Sequence, residues 1–404
     1  MTRGGAVQLM RVLFVTDWPG RGGGVESHIA LLTDELRARG DKVRLLTSAA
    51  GDGRAHGSYV AYAATHPLPQ AALQVANPFA ARAARRAVAE FRPDVAHVSM
   101  FEMHLSPAVV EALRGVPTIL SIAYYKPVCP NGLKLLPDDS LCTVEQGAVC
   151  WRGGCVGLAH WLRDRPRYAL IQRAVRRAAA ILTCSAFVQR ELARAGIEAA
   201  FAPWPTRLPS PEFRRAPARE PLFVFTGRLA REKGVDTLLR ALALVHARGT
   251  AARVRIVGDG PLRPQLEALA ASLGVAPSVE WAGWVDPAMV EPHLADAWAL
   301  VAPSRWAEPL GLSAVEAIVR GVPVIASSVG GFAETVRDGV AGRLVPNGDV
   351  AKLADALAET AARPAEQLAV PAAEVARMRR EHDPGRHLAW LREQFERVLD
   401  RGRA

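Results

Sequence analysis

A short apolar run, a glycine-containing loop and an amphipathic helix follow one another near the start of this chain and again past its middle, and that recurrence constrains the fold more than any other feature. Val12-Leu13-Phe14-Val15 is interrupted by Gly20 to Gly24; Ile29, Leu32 and Leu36 then recur at helical spacing up to Gly40, and Val43-Arg44-Leu45-Leu46 is a second short run. Runs too short for helices, apolar throughout and separated by helices read as parallel strands buried on both faces. Helices predicted over 79–91, 106–114 and 161–179 and strands over 95–98, 118–122 and 180–183 extend the pattern. Pro203, Pro205, Pro209, Pro211, Pro217 and Pro221 then mark a linker. Beyond it the alternation restarts, with strands over 222–225, 254–257, 279–281, 299–302 and 324–326 and helices over 235–247, 262–273 and 310–320. The expected fold class is α/β, with two doubly wound, Rossmann-like domains facing a central cleft. Residues 1–205 form the first, 206–220 the linker and 221–385 the second; residues 1–9 are expected to precede the fold.

At 404 residues and 50% hydrophobic content the chain excludes disorder as its main state. No apolar run reaches the roughly 18 residues a membrane span requires. Arg11 interrupts the apolar stretch 7–15, and no small-residue cleavage site follows, so this is read as a strand rather than a leader, and the protein is expected in the cytoplasm. Five cysteines are too few for a disulfide scaffold. A formal charge of +10 fits nucleic acid, anionic lipid or an anionic small substrate.

The richest motif is Glu308-Pro309-Leu310-Gly311-Leu312-Ser313-Ala314-Val315-Glu316. Glu308 precedes a predicted helix and Glu316 lies two turns into it, so the amides of Gly311, Leu312 and Ser313 open that helix as an anion site. One carboxylate can accept from a sugar and the other from ribose. Solvated helix caps are the plain alternative for an isolated pair. Gly227-Arg228-Leu229 and Glu232-Lys233-Gly234 follow a strand, where two cations can neutralise a diphosphate. Gly258-Asp259-Gly260-Pro261 is a further strand-to-glycine loop, Pro303-Ser304 precedes the glutamates, and Gly321-Val322-Pro323-Val324-Ile325-Ala326 closes the unit.

Taken in order, these six motifs resemble the retaining glycosyltransferases of family 4, the glycosyl transferases group 1, whose fold is GT-B. The likeness is strong over about 222–350 and looser over 10–205. It implies transfer of a sugar from a nucleoside diphosphate sugar, as co-substrate, with retention and without a required metal or other cofactor. It also implies that Arg228 and Lys233 bind the diphosphate, Glu308 contacts the sugar, Glu316 holds the ribose, and the last helix, 386–404, returns to the first domain. With no Asp-x-Asp triplet to bridge a diphosphate through Mg²⁺, cations and helix amides must stabilise the leaving group. Gly283, Trp284 and Val285, after a strand, are the base-side candidates, and Pro309 shapes the helix entry.

In the first half, Gly23 and Gly24 end a loop that resembles the family's glycine-rich loop and allows close approach of backbone to phosphate. Trp18, His97, His104, Tyr124 and Tyr125 are acceptor or cleft candidates, His97 because it is expected at the cleft end of its strand. Cys129-Pro130-Asn131-Gly132 matches an element that relatives precede with His-Asp-Tyr, where this chain has Ala123-Tyr124-Tyr125. The histidine that often reaches the sugar's primary hydroxyl is then missing: either the donor sugar lacks that hydroxyl, the acceptor is unusual, or Tyr124 or His104 fills the gap. Cys129, Cys142, Cys150 and Cys155 could form a structural metal site, a local disulfide or free structural thiols; strong metal motifs space cysteines more closely. Six arginines between 163 and 177, with only Asp164 opposing, could rest on an anionic membrane at the inner face or form a solvated face.

Alternatives remain. A GT-B nucleotide-sugar epimerase or phosphorylase would use the same donor half. A basic nucleic-acid binder would need a reader motif, which is absent, so nucleic acid is not an expected partner; the expected ones are a nucleotide sugar and an unidentified acceptor. An NAD-dependent oxidoreductase is disfavoured because residues 20–24 lack G-x-G-x-x-G spacing and no ribose-binding acid is evident about 20 residues later.

Overall fold

The computed structural model describes residues 9–17, 23–50 and 58–403. Trp18 and the glycines at 20 and 22–23 are split by this boundary, so that Trp18, Gly20 and Gly22 lie outside the described residues and Gly23 inside. Two parallel sheets dominate. The first comprises β1 (Arg11–Thr16), β2 (Lys42–Ser48), β3 (Tyr59–Ala61), β4 (Val95–Met100), β5 (Thr118–Ile122), β6 (Ala180–Thr183) and β7 (Ala200–Phe201), in the order β3-β2-β1-β4-β5-β6-β7. The second comprises β8 (Leu222–Thr226), β9 (Arg253–Val257), β10 (Val279–Gly283), β11 (Ala299–Ala302), β12 (Val324–Ser327) and β13 (Gly342–Val345), in the order β10-β9-β8-β11-β12-β13. The short strands β3, β7 and β13 carry too little apolar sequence to be legible in advance.

Strand order reverses between β1 and β4 in one sheet and between β8 and β11 in the other. Such switch points open a crevice beyond the carboxyl ends of the strands, because the flanking helices leave on opposite faces. Both candidate loop sets of the sequence fall there.

The last helix, Pro384–Arg403, packs Leu388, Leu391, Phe395 and Val398 against Val12 and Phe14 of β1 and against Ile29, Leu32 and Leu36 of the helix Gly24–Ala38. Arg392 pairs with buried Asp41 at the same seam. The linker is pinned as well. Trp204 is buried and stacks on His28 with ring centroids 3.9 Å apart, Thr206 N donates to His382 O (3.1 Å), and Ala216 N and Ala218 N donate to Ala295 O and Asp296 O. Ala307 and Leu310 of the second domain join the apolar cluster of the first, with Trp306 and Leu312 packed against it.

Candidate functional site

The loop after β8 and the loop after β11 meet through side chains. Lys233, on a 3-10 turn Arg231–Lys233, reaches Glu308 and donates to Oε1 at 2.9 Å and Oε2 at 2.8 Å. Trp306 Nε1 donates to Oε2 at 2.8 Å, Ser304 Oγ lies 3.3 Å from it, and Lys233 Nζ stands 5.5 Å from the Trp306 ring centroid. Glu308 is also fixed through its backbone, since its carbonyl accepts from Gly331 N at 2.6 Å. Charge-assisted bonds of this kind are strong where water is partly excluded. Yet the two side chains stay 22% and 13% exposed, enough to meet a ligand.

Gly311 adopts φ +80, where a Cβ would lie 2.4 Å from the Phe332 ring, so only glycine lets the chain turn into the helix Leu312–Ile318. Its first amides point out of the helix start beside Glu308. Across the cleft, a Cβ on Gly24 would stand 3.0 Å from Leu312 Cδ1, which brings the first domain's glycine loop against this helix start. Glu26, two residues on, has its carboxyl raised by burial, partly offset by its own amide and by the Arg228 guanidinium. Arg228 is 64% exposed and bonded to Glu232 (2.6 Å). Pro309 O accepts from Ser185 Oγ at 2.5 Å, and Leu310 is buried against the first domain.

The remaining donor-side glycines serve the protein's own backbone. A Cβ on Gly258 (φ +143) would fall 1.9 Å from Gly227 O and one on Gly260 2.5 Å from Leu229 O, so the loops after β8 and β9 lie flat on each other. Gly258 N donates to Gly283 O at 2.7 Å, Trp284 is 55% exposed and Val285 packs on the core. Glu316 is partly buried on the second turn of its helix; burial raises its carboxyl, and the Arg320 and Arg207 charges oppose that.

Residues 220–363 match the family model described as Glycosyl transferases group 1, and residues 23–202 match that of the Glycosyl transferase 4-like domain. Each of the two domains thus matches a glycosyltransferase domain family. It is 33% identical over 153 residues to alpha-D-kanosaminyltransferase of Streptomyces kanamyceticus, covering 36% of this chain and 39% of the relative. It is 40% identical over 145 residues to a GDP-mannose-dependent alpha-(1-6)-phosphatidylinositol monomannoside mannosyltransferase of Mycobacterium tuberculosis, covering 34% and 38%. The matched segment thus spans about two fifths of each relative's length. In fold, the chain superposes on sucrose-phosphate synthase from Thermosynechococcus elongatus with a TM-score of 0.75 at 20% identity, covering 96% of this chain and 99% of that one. HepE of Anabaena, solved with UDP and glucose, gives 0.69 at 18%, covering 96% and 99%. The two Rossmann-like domains are those of the GT-B fold.

In the first domain several expectations need correction. His97 sits inside β4, not at its cleft end; it is buried between Phe14 (centroids 5.0 Å) and Phe395 (6.1 Å) under the last helix, and burial lowers it to about 3. Its side chain faces the last helix, on the side of the sheet opposite Ala96 and Val98, because alternate strand positions face opposite sides. Tyr125 is fully buried; its hydroxyl donates to Ala307 O at 2.6 Å and its ring meets Trp306 edge-on, so it joins the domains rather than receiving an acceptor. His104 is buried, with burial lowering it and the Asp17 charge opposing. Tyr124 stays partly exposed. Among the described residues no group of three or more His, Cys, Asp or Glu could hold a metal ion, and the five cysteines are free. Cys129 Sγ turns to Asn131 Oδ1 and Cys142 Sγ to Val144 O, which draws the sulfurs to different partners. The arginine helix also has more opposition than its own sequence carries, because Arg173 and Arg177 pair with Glu111; Arg167 is buried against Asp164 of the same helix. No helix of the described residues is long and apolar enough to cross a membrane.

Two polar residues escaped the sequence reading. Asp17, directly after β1, accepts from the amides of Met103 (2.6 Å), His104 (2.9 Å) and Leu105 (2.7 Å). Glu102 is buried, accepts from Tyr124 Oη at 2.7 Å, and is raised to about 7 by burial, against the Tyr124 hydrogen bond. The position of Asp17 at the carboxyl end of a first strand was an available signal; nothing local marks Glu102.

Proposed function

We propose that the chain transfers a glycosyl group from a nucleoside diphosphate sugar, UDP- or GDP-linked, to an acceptor hydroxyl with retention at the anomeric carbon. The observation that carries this reading is the Lys233–Glu308 pair at the second switch point, beside the helix start at Gly311. Relatives and neighbours whose names include GDP-mannose and UDP support the choice of donor class.

In this reading the diphosphate lies between Lys233, Arg228 and the amides of Leu312 and Ser313, which supply the positive charge that a divalent metal would otherwise provide. No metal is required. Glu308, oriented by Lys233 and Trp306, accepts hydrogen bonds from the sugar; Glu316 takes the ribose; Gly283, Trp284 and Val285 border the base. The bond from the anomeric carbon to the phosphate oxygen breaks and the acceptor oxygen attacks from the same face. The departing phosphate oxygen takes the acceptor's proton, so no second carboxylate is needed as base. Tyr124, held by Glu102, borders the acceptor side.

Calorimetric titration of UDP, GDP, ADP and NAD, followed by mass spectrometry of products from a donor-by-acceptor panel, tests the proposal. Binding of one nucleoside diphosphate and a glycosylated product are expected. Failure to bind both UDP and GDP, or full activity in a folded Glu308→Ala variant, would overturn it.

A further inference from the structure

The cysteine-bearing insertion contains a hairpin that crosses the cleft. Leu135 and Leu141 pair antiparallel, Leu136 N donates to Ser140 O (2.8 Å), and Asp139 at φ +66 closes the turn, steadied by Asp138, which accepts from Ser140 N and Oγ. Its root belongs to the first domain. Lys134 pairs with Glu191 at 3.1 Å, both nearly buried, Cys142 N donates to Lys134 O (2.8 Å), and Asn131 Nδ2 donates to Leu135 O (3.1 Å).

Its tip belongs to the second domain's loops. Arg231 Nη2 donates to Pro137 O at 2.7 Å and stands 2.7 Å from Asp139 Oδ1 as an ion pair; Arg305 Nε lies 3.6 Å from Asp139 Oδ2. Arg231 precedes Lys233 by two residues and Arg305 precedes Glu308 by three. Arg305 also ties the two loops to each other, since its backbone N donates to Glu232 O (2.8 Å) and its Nη1 to Arg231 O (3.4 Å). A hairpin rooted in one domain therefore grips the junction of both loops that present Lys233 and Glu308.

We propose that Asp139 is a positioning residue: through Arg231 and Arg305 it holds the loops 227–234 and 303–311 in register, and so sets the affinity for the nucleoside diphosphate sugar. The proposal rests on the donor site assigned above. A single exposed ion pair contributes little, but one carboxylate shared by two arginines on a closed turn restrains both loops at once. Because Asp139 does not touch the reacting atoms, its loss should act on donor binding more than on turnover.

The experiment compares Asp139→Asn, Asp139→Glu, Arg231→Met and the Asp139→Asn/Arg231→Met double variant, each first matched to the wild type by thermal melt. Donor KM is expected to rise about three- to tenfold in Asp139→Asn with kcat within about twofold. Asp139→Glu should recover part of the loss, and the double variant should be no worse than the worse single one, as for two halves of one contact. Hydrogen exchange of amides in 227–234 and 303–311 should quicken in Asp139→Asn without nucleotide present. Unchanged KM and exchange in Asp139→Asn, or losses that simply add in the double variant, would overturn the proposal. A wild type that binds neither UDP nor GDP would instead sink the donor reading, while the exchange comparison still decides whether the hairpin holds the loops.

Discussion

At the second sheet's switch point a lysine from one loop meets a glutamate from the other; at the first sheet's, an aspartate from one loop accepts three backbone amides from the other. The topology is the same, but the energetic outcome differs. Asp17 is fully buried, and burial raises its carboxyl even against three amide bonds, so it serves to fix the loop 101–105. Lys233 and Glu308 remain partly open, so their charges stay available. One switch point spends its polar groups on loop structure, while the other leaves them partly open to solvent.

Breaking each side tests that contrast. The largest effect is expected for Lys233→Met, which should lower transfer by at least about a hundredfold, in line with loss of a preorganised charge at a reacting centre, with the thermal melt little changed. Steady-state kinetics beside a melt checks both halves. Next comes Gly258→Ala, whose new methyl group would sit 1.9 Å from Gly227 O; a loss of roughly 3 kcal/mol or more in the second domain is expected from backbone strain and loop displacement, read by denaturant unfolding. Asp17→Asn, by leaving fewer acceptors for three amides, should cost about 1–3 kcal/mol in the first domain. If it abolished transfer while leaving stability intact, the assignment of Asp17 to structure would fail.

Glu102 sharpens the comparison through pH. Its folded value of about 7 lies above the ordinary 4.5, so the folded state holds this proton more tightly than the unfolded chain. Its contribution to stability is complete below about 4.5 and is lost as pH rises from there through about 7. Glu102→Gln, which cannot ionise, should therefore gain stability relative to the wild type across that window, by about 1–3 kcal/mol, as measured by melts at stepped pH. An equal difference at pH 4 and pH 8 would contradict the burial argument. The smallest effect belongs to Arg165→Ala on the arginine helix, where an exposed cation over Trp161 (5.2 Å) should change stability by less than about 1 kcal/mol.

The donor half was legible because its parts are contiguous. Arg228 to Gly234 and Glu308 to Glu316 are each one contiguous segment at the end of a strand, and glycine and proline mark the turns. The Tyr124–Glu102 pair was not, because the two residues come from the loops after different strands, β5 and β4, and meet only through space. His97 was expected at the cleft end of its strand but lies inside β4, and an apolar run buried on both sides has no period to show which way a polar member points. Tyr125 looked like a cleft residue, and only its bond to Ala307 O reveals it as a joint between domains.

Sequence alone determined the two parallel α/β units, their linker and the residues that gather at the second switch point, because strand length, helical spacing and turn chemistry are local properties. Tertiary structure decided that the last helix covers β1, that the hairpin at 135–141 reaches Arg231 and Arg305, and that Asp17 and Glu102 are buried. Those outcomes depend on contacts between segments distant in the chain, and the burial that shifts a carboxyl or silences a histidine exists only once such segments have met.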